Sequence, residues 1–328
     1  MKQKHLIIAA DTAVGLIEAE RGAIAGCDGY EPVFKRYFLS DPKDAESLPE
    51  EDGAVCHIVQ PPLDGSRIAV WLWLAKDVKV VRKPGVTVAD DEGVKHVWIS
   101  GIKAPGTSSE EQTALIFNEY EAALSDMGLT IQDNCIRTWI HVADIDDNYA
   151  GVVKARRENF ESIGLTPKTH YIASTGIQGH PCAPGALVQM DAYAVSGSFC
   201  QTYLYAPTHL NPTYEYGVTF ERGVRLSCSG SQVTLISGTA SIDNKGSVLH
   251  IGDIRMQTLR MWENVEKLLE EAGNKWADVK QILVYLRNAD DYSVVAPMFR
   301  DKFPDTPYII LLAPVCRPDW LIEMECIA

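Results

Sequence analysis

The feature that most constrains this chain is that it repeats itself. Gln112-Thr113, Gly128 and Asp133 recur as Gln257-Thr258, Gly273 and Asp278, each 145 residues later. Upstream, Trp98-Ile99-Ser100-Gly101 parallels Leu235-Ile236-Ser237-Gly238 at an offset of 137. Downstream, Leu187-Val188-Gln189-Met190-Asp191 parallels Leu321-Ile322-Glu323-Met324-Glu325 at 134. Shared blocks at drifting offsets describe two copies of one plan, separated by loop insertions and deletions. A chain of 328 residues accommodates two modules that each bury a core. We place them at 1–197, a diverged N-terminal copy, and 198–328, a C-terminal copy.

Both copies read alike. An apolar strand ending in Ser-Gly leads through a loop to a helix, with Ser109 the expected N-cap in the first copy. Phe117, Tyr120, Leu124 and Met127, and likewise Leu259, Trp262, Val265 and Leu269, recur at helical spacing and give each helix one apolar face. Gly128 and Gly273 serve as C-terminal caps. A strand follows (135–142; 281–287), then an Asp-rich turn whose aspartates are expected to cap a second helix (near 148–163; near 292–303), and a closing strand. The order β-α-β-α-β behind a leading hairpin predicts an α+β fold, each module a mixed sheet with two helices packed on one face. No glycine fingerprint opens either first helix, which argues against a dinucleotide-binding sheet. The first 90 residues, with Pro61-Pro62, Trp71 and Trp73, suggest further strands of the first module.

Charge and composition narrow the function. A net charge of −14, with no local Lys/Arg cluster, disfavours nucleic-acid binding, and an anionic metabolite would need arginines gathered in one pocket. The apolar stretch Leu6 to Ala10 is too short for a signal sequence or a membrane span, so a cytoplasmic protein with no membrane partner is expected. Eight scattered cysteines without a CxxC pair read as free thiols. Eight histidines without HxH or HExxH spacing give no metal site and read as surface or edge residues. No cofactor is implied.

Several segments carry a resemblance. Ser237-Gly238-Thr239-Ala240-Ser241-Ile242, Gly252-Asp253, Gln257-Thr258, Asn264-Val265, Val284-Tyr285-Leu286 and the ending Ile322 to Ala328 resemble the Rid (YjgF, endoribonuclease L-PSP-like) superfamily over nearly all of 233–328. In the first module, Ile136-Arg137-Thr138-Trp139, Asp144-Ile145-Asp146 and Ala173 to Ile177 resemble chorismatases, which hydrolyse chorismate and are two fused Rid-like modules. The resemblance implies two tandem Rid-like (chorismate-mutase-like) modules with the active site in the second. It also implies burial of open sheets by association in threes, either as a homotrimer or within the chain. Single-module members are enamine/imine deaminases that use an arginine and a glutamate; Glu323 matches the glutamate, whereas Tyr308 stands at the arginine's position. The tyrosine-arginine segment of chorismatases is replaced by Thr202 to Pro207, leaving Arg222, Arg317 and Arg137 to compensate.

In the ending 320–328, strand alternation sets Glu323 and Glu325 on one face. Periodicity alone describes a solvated face, and the resemblance assigns Glu323, though not Glu325, to catalysis. Opening an enol ether needs a proton delivered to carbon, which a carboxyl of raised pKa supplies at neutral pH; in the enamine case the same group would place water. The first copy has Gln189 at this position, so the chemistry belongs to the second. The substrate-binding candidates are Tyr203, Tyr205, Arg222, Gly238, Thr239, Ala240, Cys316 and Arg317. Gly238-Thr239-Ala240 is either an anion-holding turn or a simple one, and Cys316 either a packing residue or a pocket thiol. The stretch Thr208–Arg222, with His209, Asn211, Tyr214, Tyr216 and Phe220, is either a pocket wall or a linker strand. The expected function is chorismatase-like hydrolysis of chorismate or a related cyclic enol ether, releasing pyruvate. The alternatives are a Rid-type deaminase or a non-catalytic binder.

Overall fold

The computed structural model describes all 328 residues. Three sheets form, not two. Residues 2–76 supply β1 (Lys2–Ala10), α1 (Ala13–Ala25), β2 (Tyr30–Leu39), β3 (Val55–Val59) and β4 (Ile68–Lys76). The next sheet holds β5 (Lys79–Lys83), β6 (Val86–Asp91), β7 (Val94–Ile102), β8 (Cys135–Val142), β9 (Ala173–Gln178) and β11 (Val188–Ser196), while β10 (His180–Pro181) reaches back to pair with β3. Its helices are α2 (Ser109–Ser125), the short α3 (Ile131–Asn134) and α4 (Ile145–Ser162). The last sheet holds β12 (Phe199–Leu204), β13 (Gly223–Cys228), β14 (Ser231–Ala240), β15 (Gln281–Leu286), β16 (Tyr308–Leu312) and β17 (Ile322–Ile327), with α5 (Ile254–Glu271) and α6 (Tyr292–Lys302).

The sheet orders expose the repeat. Neighbours run β7-β11-β8-β9 in the second sheet and β14-β17-β15-β16 in the third, each ending in a parallel pair. The first sheet runs β1-β4-β2-β3, also ending in a parallel pair. Residues 2–76 therefore repeat the plan in reduced form, with the 3-10 turn Pro42–Ser47 where the other copies have their second helix. They make a sheet of their own rather than extending that of the following copy.

Each sheet joins the next at its edge: Gly53 bridges Pro84, Ala173 bridges Glu221, and Leu311 bridges Pro62. The three sheets thus close on a common interior within one chain. Trp71 and Trp73 of the first sheet meet Trp139 and Trp98 of the second at ring distances of 5.9 and 5.3 Å, and the same core continues through Leu226, Leu235 and Tyr285 of the third. The helices lie outside. Phe117, Tyr120 and Leu124 of α2, and Trp262, Val265 and Leu269 of α5, are buried as their spacing requires, whereas Met127 lies beyond α2 and Leu259 is partly exposed. Gly128 and Gly273 adopt φ of 71° and 79°, and the next residue donates back to Leu124 and Leu269, closing both helices in the left-handed cap that glycine favours.

Other expectations change. Ser108, not Ser109, caps α2, because its extended backbone lets its hydroxyl accept from Glu111 N at 3.2 Å. Asp144 and Asp291 sit at N-cap positions but make no side-chain capping bond, and Asp146 instead pairs with Arg287 at 2.9 Å. His5, His96 and His141 are buried inside sheets rather than at the surface. All eight cysteines are free. No helix is long and apolar enough to cross a membrane.

Candidate active site

Glu323 lies on β17 opposite Tyr285 of β15 and Ala240 of β14, in the middle of a sheet whose face is covered by the neighbouring one. It is 5% exposed, makes no hydrogen bond within the protein, and opens onto a cavity of about 370 Å³ between the second and third sheets. Burial, and after it the charge of Glu325, pushes its pKa up to about 8, against a smaller pull from Arg222 and Arg137. The acid is therefore largely protonated at pH 7.

Glu325 points the same way from the same strand but is not solvated. Arg137 Nη2 donates to it at 2.6 Å, Trp139 Nε1 at 2.8 Å, and the Thr175 hydroxyl completes the set. Arg137 also donates to Ser237 and Thr175, so this one of the three candidate arginines is spent on structure. The same device occurs one sheet earlier, where Arg36 donates to Asp191 at 2.7 Å and both are fully buried. Asp191 is the counterpart of Glu325 at offset 134.

The cavity lining reverses the chain's overall charge. Arg222, Arg317, Arg157 and Lys154 surround it, and Glu323 is the one carboxyl among the lining side chains. Arg222 leans on Tyr216 and Phe220 at 5.4 and 5.5 Å with its Nε and Nη2 on Asn211. Arg317 lies over Tyr216 and Trp320 at 4.6 and 4.7 Å. Lys154 is shared with Glu110 at 2.5 Å. Tyr149, Val153 and Arg157 come from one face of α4, at intervals of four residues. This helix belongs to the second sheet, so the site is built across two modules.

Of the residues expected from sequence, Glu323, Arg222, Gly238, Ala240, Cys316 and Arg317 meet here. Gly238 is needed for clearance, since a Cβ would collide with Glu323 Oε1. Gly238 to Ala240 form neither an anion nest nor a tight turn. They continue β14, Gly238 N already donates to Thr175 at 2.9 Å, and the Thr239 hydroxyl donates to Ser237 O at 2.9 Å, away from the cavity. Cys316 is a pocket thiol rather than pure packing; burial drives its pKa up to about 12, which keeps it protonated. Tyr203 stacks on His170, and Tyr205 faces a different cavity. Their place is taken by Tyr216, from the wall segment, whose residues Tyr216, Phe220 and Arg222 line the site while His209, Asn211 and Tyr214 do not. Arg157, Lys154 and Tyr149 were missed in sequence; the i, i+4, i+8 spacing of Tyr149, Val153 and Arg157 is the signal that was available.

The chain is similar to proteins of known family and fold. The family model described as endoribonuclease L-PSP matches residues 222–328. A RutC family protein of Pyrococcus abyssi is 35% identical over 95 residues, which are 28% of this chain and 75% of that protein. A 3-hydroxybenzoate synthase of Streptomyces hygroscopicus is 26% identical over 272 residues, covering 74% of this chain and 76% of that protein. A crystal structure of a chorismatase superposes with a TM-score of 0.72 at 18% identity, over 100% of this chain and 98% of the other, and so shares its fold.

Proposed function

The chain belongs to the Rid superfamily, the RutC and endoribonuclease L-PSP-like proteins, and on that premise we propose that it is a chorismatase-like hydrolase, acting on chorismate or a related cyclic enol ether to release pyruvate. The observation that carries this reading is a neutral buried acid, Glu323, facing a ring of cations in a cavity of metabolite size. Arginines suit carboxylates through paired N–H contacts, and chorismate has two.

In this reading Arg222, Arg317 and Arg157 hold the substrate's carboxylates and set the enol ether against Glu323. The Glu323 proton forms a C–H bond at the methylene carbon as the double bond opens, leaving a cation shared with the ether oxygen. Water adds to the carbon that carries the ether oxygen, the methylene having become a methyl group, and gives up a proton to the Glu323 carboxylate. The resulting hemiketal breaks its bond to the ring oxygen, giving pyruvate and a ring alcohol. The Arg222 charge helps the transient Glu323 anion, which burial disfavours.

The deaminase alternative has less support. Strand register sets Ser174 opposite Thr138 as Tyr308 is set opposite Ile282, so neither copy offers the deaminase arginine at that position. Incubation with chorismate and, separately, with 2-aminoacrylate tests the choice. Pyruvate from the first without accelerated ammonia release from the second supports the proposal; the reverse pattern replaces it with the deaminase.

A further inference from the structure

The segment from Ala206 to Arg222 has a cavity on each side. Tyr216, Phe220 and Arg222 face the one that holds Glu323. Behind them, between the same segment and the loop 166–171 of the preceding module, lies a second cavity of about 450 Å³. None of the chemistry above uses it.

Its distinctive feature is Glu221. This residue is 8% exposed, and its Oε1 accepts from Tyr171 N at 2.8 Å; no group of the protein bonds its other oxygen. That oxygen is open to the cavity, where a largely buried carboxylate still lacks the further polar partner such groups ordinarily have. Burial raises its pKa, against smaller pulls from the Tyr171 N–H and the Arg222 charge. Arg222 also borders this space, but its Nε and Nη2 are bonded to Asn211 and its guanidinium is stacked on Tyr216 and Phe220. Glu221 therefore has a cation nearby but no ion pair, and its second oxygen has no protein hydrogen bond.

Three tyrosines surround it. Tyr171, Tyr205 and Tyr214 line the cavity; Tyr171 is buried with its ring stacked on Phe160, whereas the other two are 45% and 46% exposed, an uncommon degree for such large rings. A carboxylate with several aromatic faces about it is the chemistry that holds an organic cation: the rings attract the charge through their quadrupoles and cover its alkyl groups, and the carboxylate neutralises it. We propose that this second cavity is a binding site for a small organic ammonium ion, its head against Glu221 and its alkyl groups on Tyr171, Tyr205 and Tyr214. Because Phe220 and Arg222 form the common wall, the bound cation sits directly behind the side chains that shape the Glu323 cavity.

Calorimetric titration of the full chain with choline, and with its uncharged carbon isostere dimethylbutanol, tests the assignment. Choline is expected to bind at one site, and the isostere at least about tenfold more weakly, the scale of one desolvated cation–aromatic contact. Glu221→Gln and the surface substitution Tyr214→Ala should each weaken choline by a similar factor, with thermal melts confirming the fold, while Glu323→Gln leaves choline binding unchanged. Equal affinity for choline and the isostere, binding that survives both Glu221→Gln and Tyr214→Ala, loss of choline binding in Glu323→Gln, or no binding by the folded chain would each overturn it.

Discussion

Arg137 holds Glu325 across the seam between the second and third sheets, Nη2 to Oε2 at 2.6 Å, while Glu323, two residues earlier on the same strand, has no partner at all. Two carboxyl groups on one face thus have opposite fates. The paired one is part of the scaffold, and its charge joins burial in keeping the unpaired one protonated. One seam earlier, Arg36 and Asp191 repeat the pair, but Gln189 stands where Glu323 would. The ion pair belongs to the repeat; the acid was kept in one cleft.

Replacing Glu323 by Gln should lower turnover about 10²- to 10⁴-fold, the usual contribution of a general acid. It should also stabilise the protein. A folded-state pKa raised to about 8 means that between the unfolded value near 4.3 and about 8 the unfolded chain sheds a proton the folded chain keeps, so wild-type stability falls as pH rises through that window. Glutamine removes this loss, for a gain of about 3–4 kcal/mol at pH 7. Urea titrations at pH 5 and pH 8 should show the gap between variant and wild type widening with pH, and a constant gap would refute the raised pKa.

Catalysis by the protonated acid has its own signature. The rate constant kcat/KM should be level below about pH 8 and fall roughly tenfold per unit above it, since the active form is lost as Glu323 ionises. A rate that climbs through pH 8 would instead indicate a base.

Arg137→Met leaves the Glu325 carboxylate buried and alone, and should cost about 3–5 kcal/mol in denaturant unfolding. Adding Glu325→Leu should recover most of that loss, because both charges then leave the interior together. Additive losses would show that the pair is not coupled as its geometry implies.

Gly238→Ala puts a methyl group against Glu323 Oε1. The carboxyl must swing away, so turnover should drop at least about tenfold while the thermal melt shows a cooperative fold. Unchanged turnover would mean that the carboxyl position is not critical.

Much of this was legible in the sequence where one element alone decides the outcome. The strand Cys135–Val142 is marked by Ile136, Trp139, Ile140 and Val142 and ends at an aspartate turn, and Gly128 and Gly273 stop their helices by their own conformational freedom. What escaped depended on two segments meeting. Glu325 reads as solvated until Arg137 of another module is brought over it. The first sheet reads as an extension because it lacks the Gln-Thr and glycine markers and has a 3-10 turn for its second helix. Tyr203 and Tyr205 rival Tyr216 as pocket residues until the chain path is known. Ala206, at φ 47° and tied by its N–H to Glu271, turns the chain so that Tyr205 faces one cavity and Tyr216 the other. The cations of α4 line a cavity whose other wall comes from the third sheet, and that meeting is invisible to periodicity.

The most direct test of the central claim is pyruvate release from chorismate, followed with coupled lactate dehydrogenase, by the wild-type chain beside Glu323→Gln. The account predicts steady release by the wild type and its near-complete loss in the variant, with both proteins folded. Release that continues undiminished in Glu323→Gln, or a folded wild type that releases none, would contradict it.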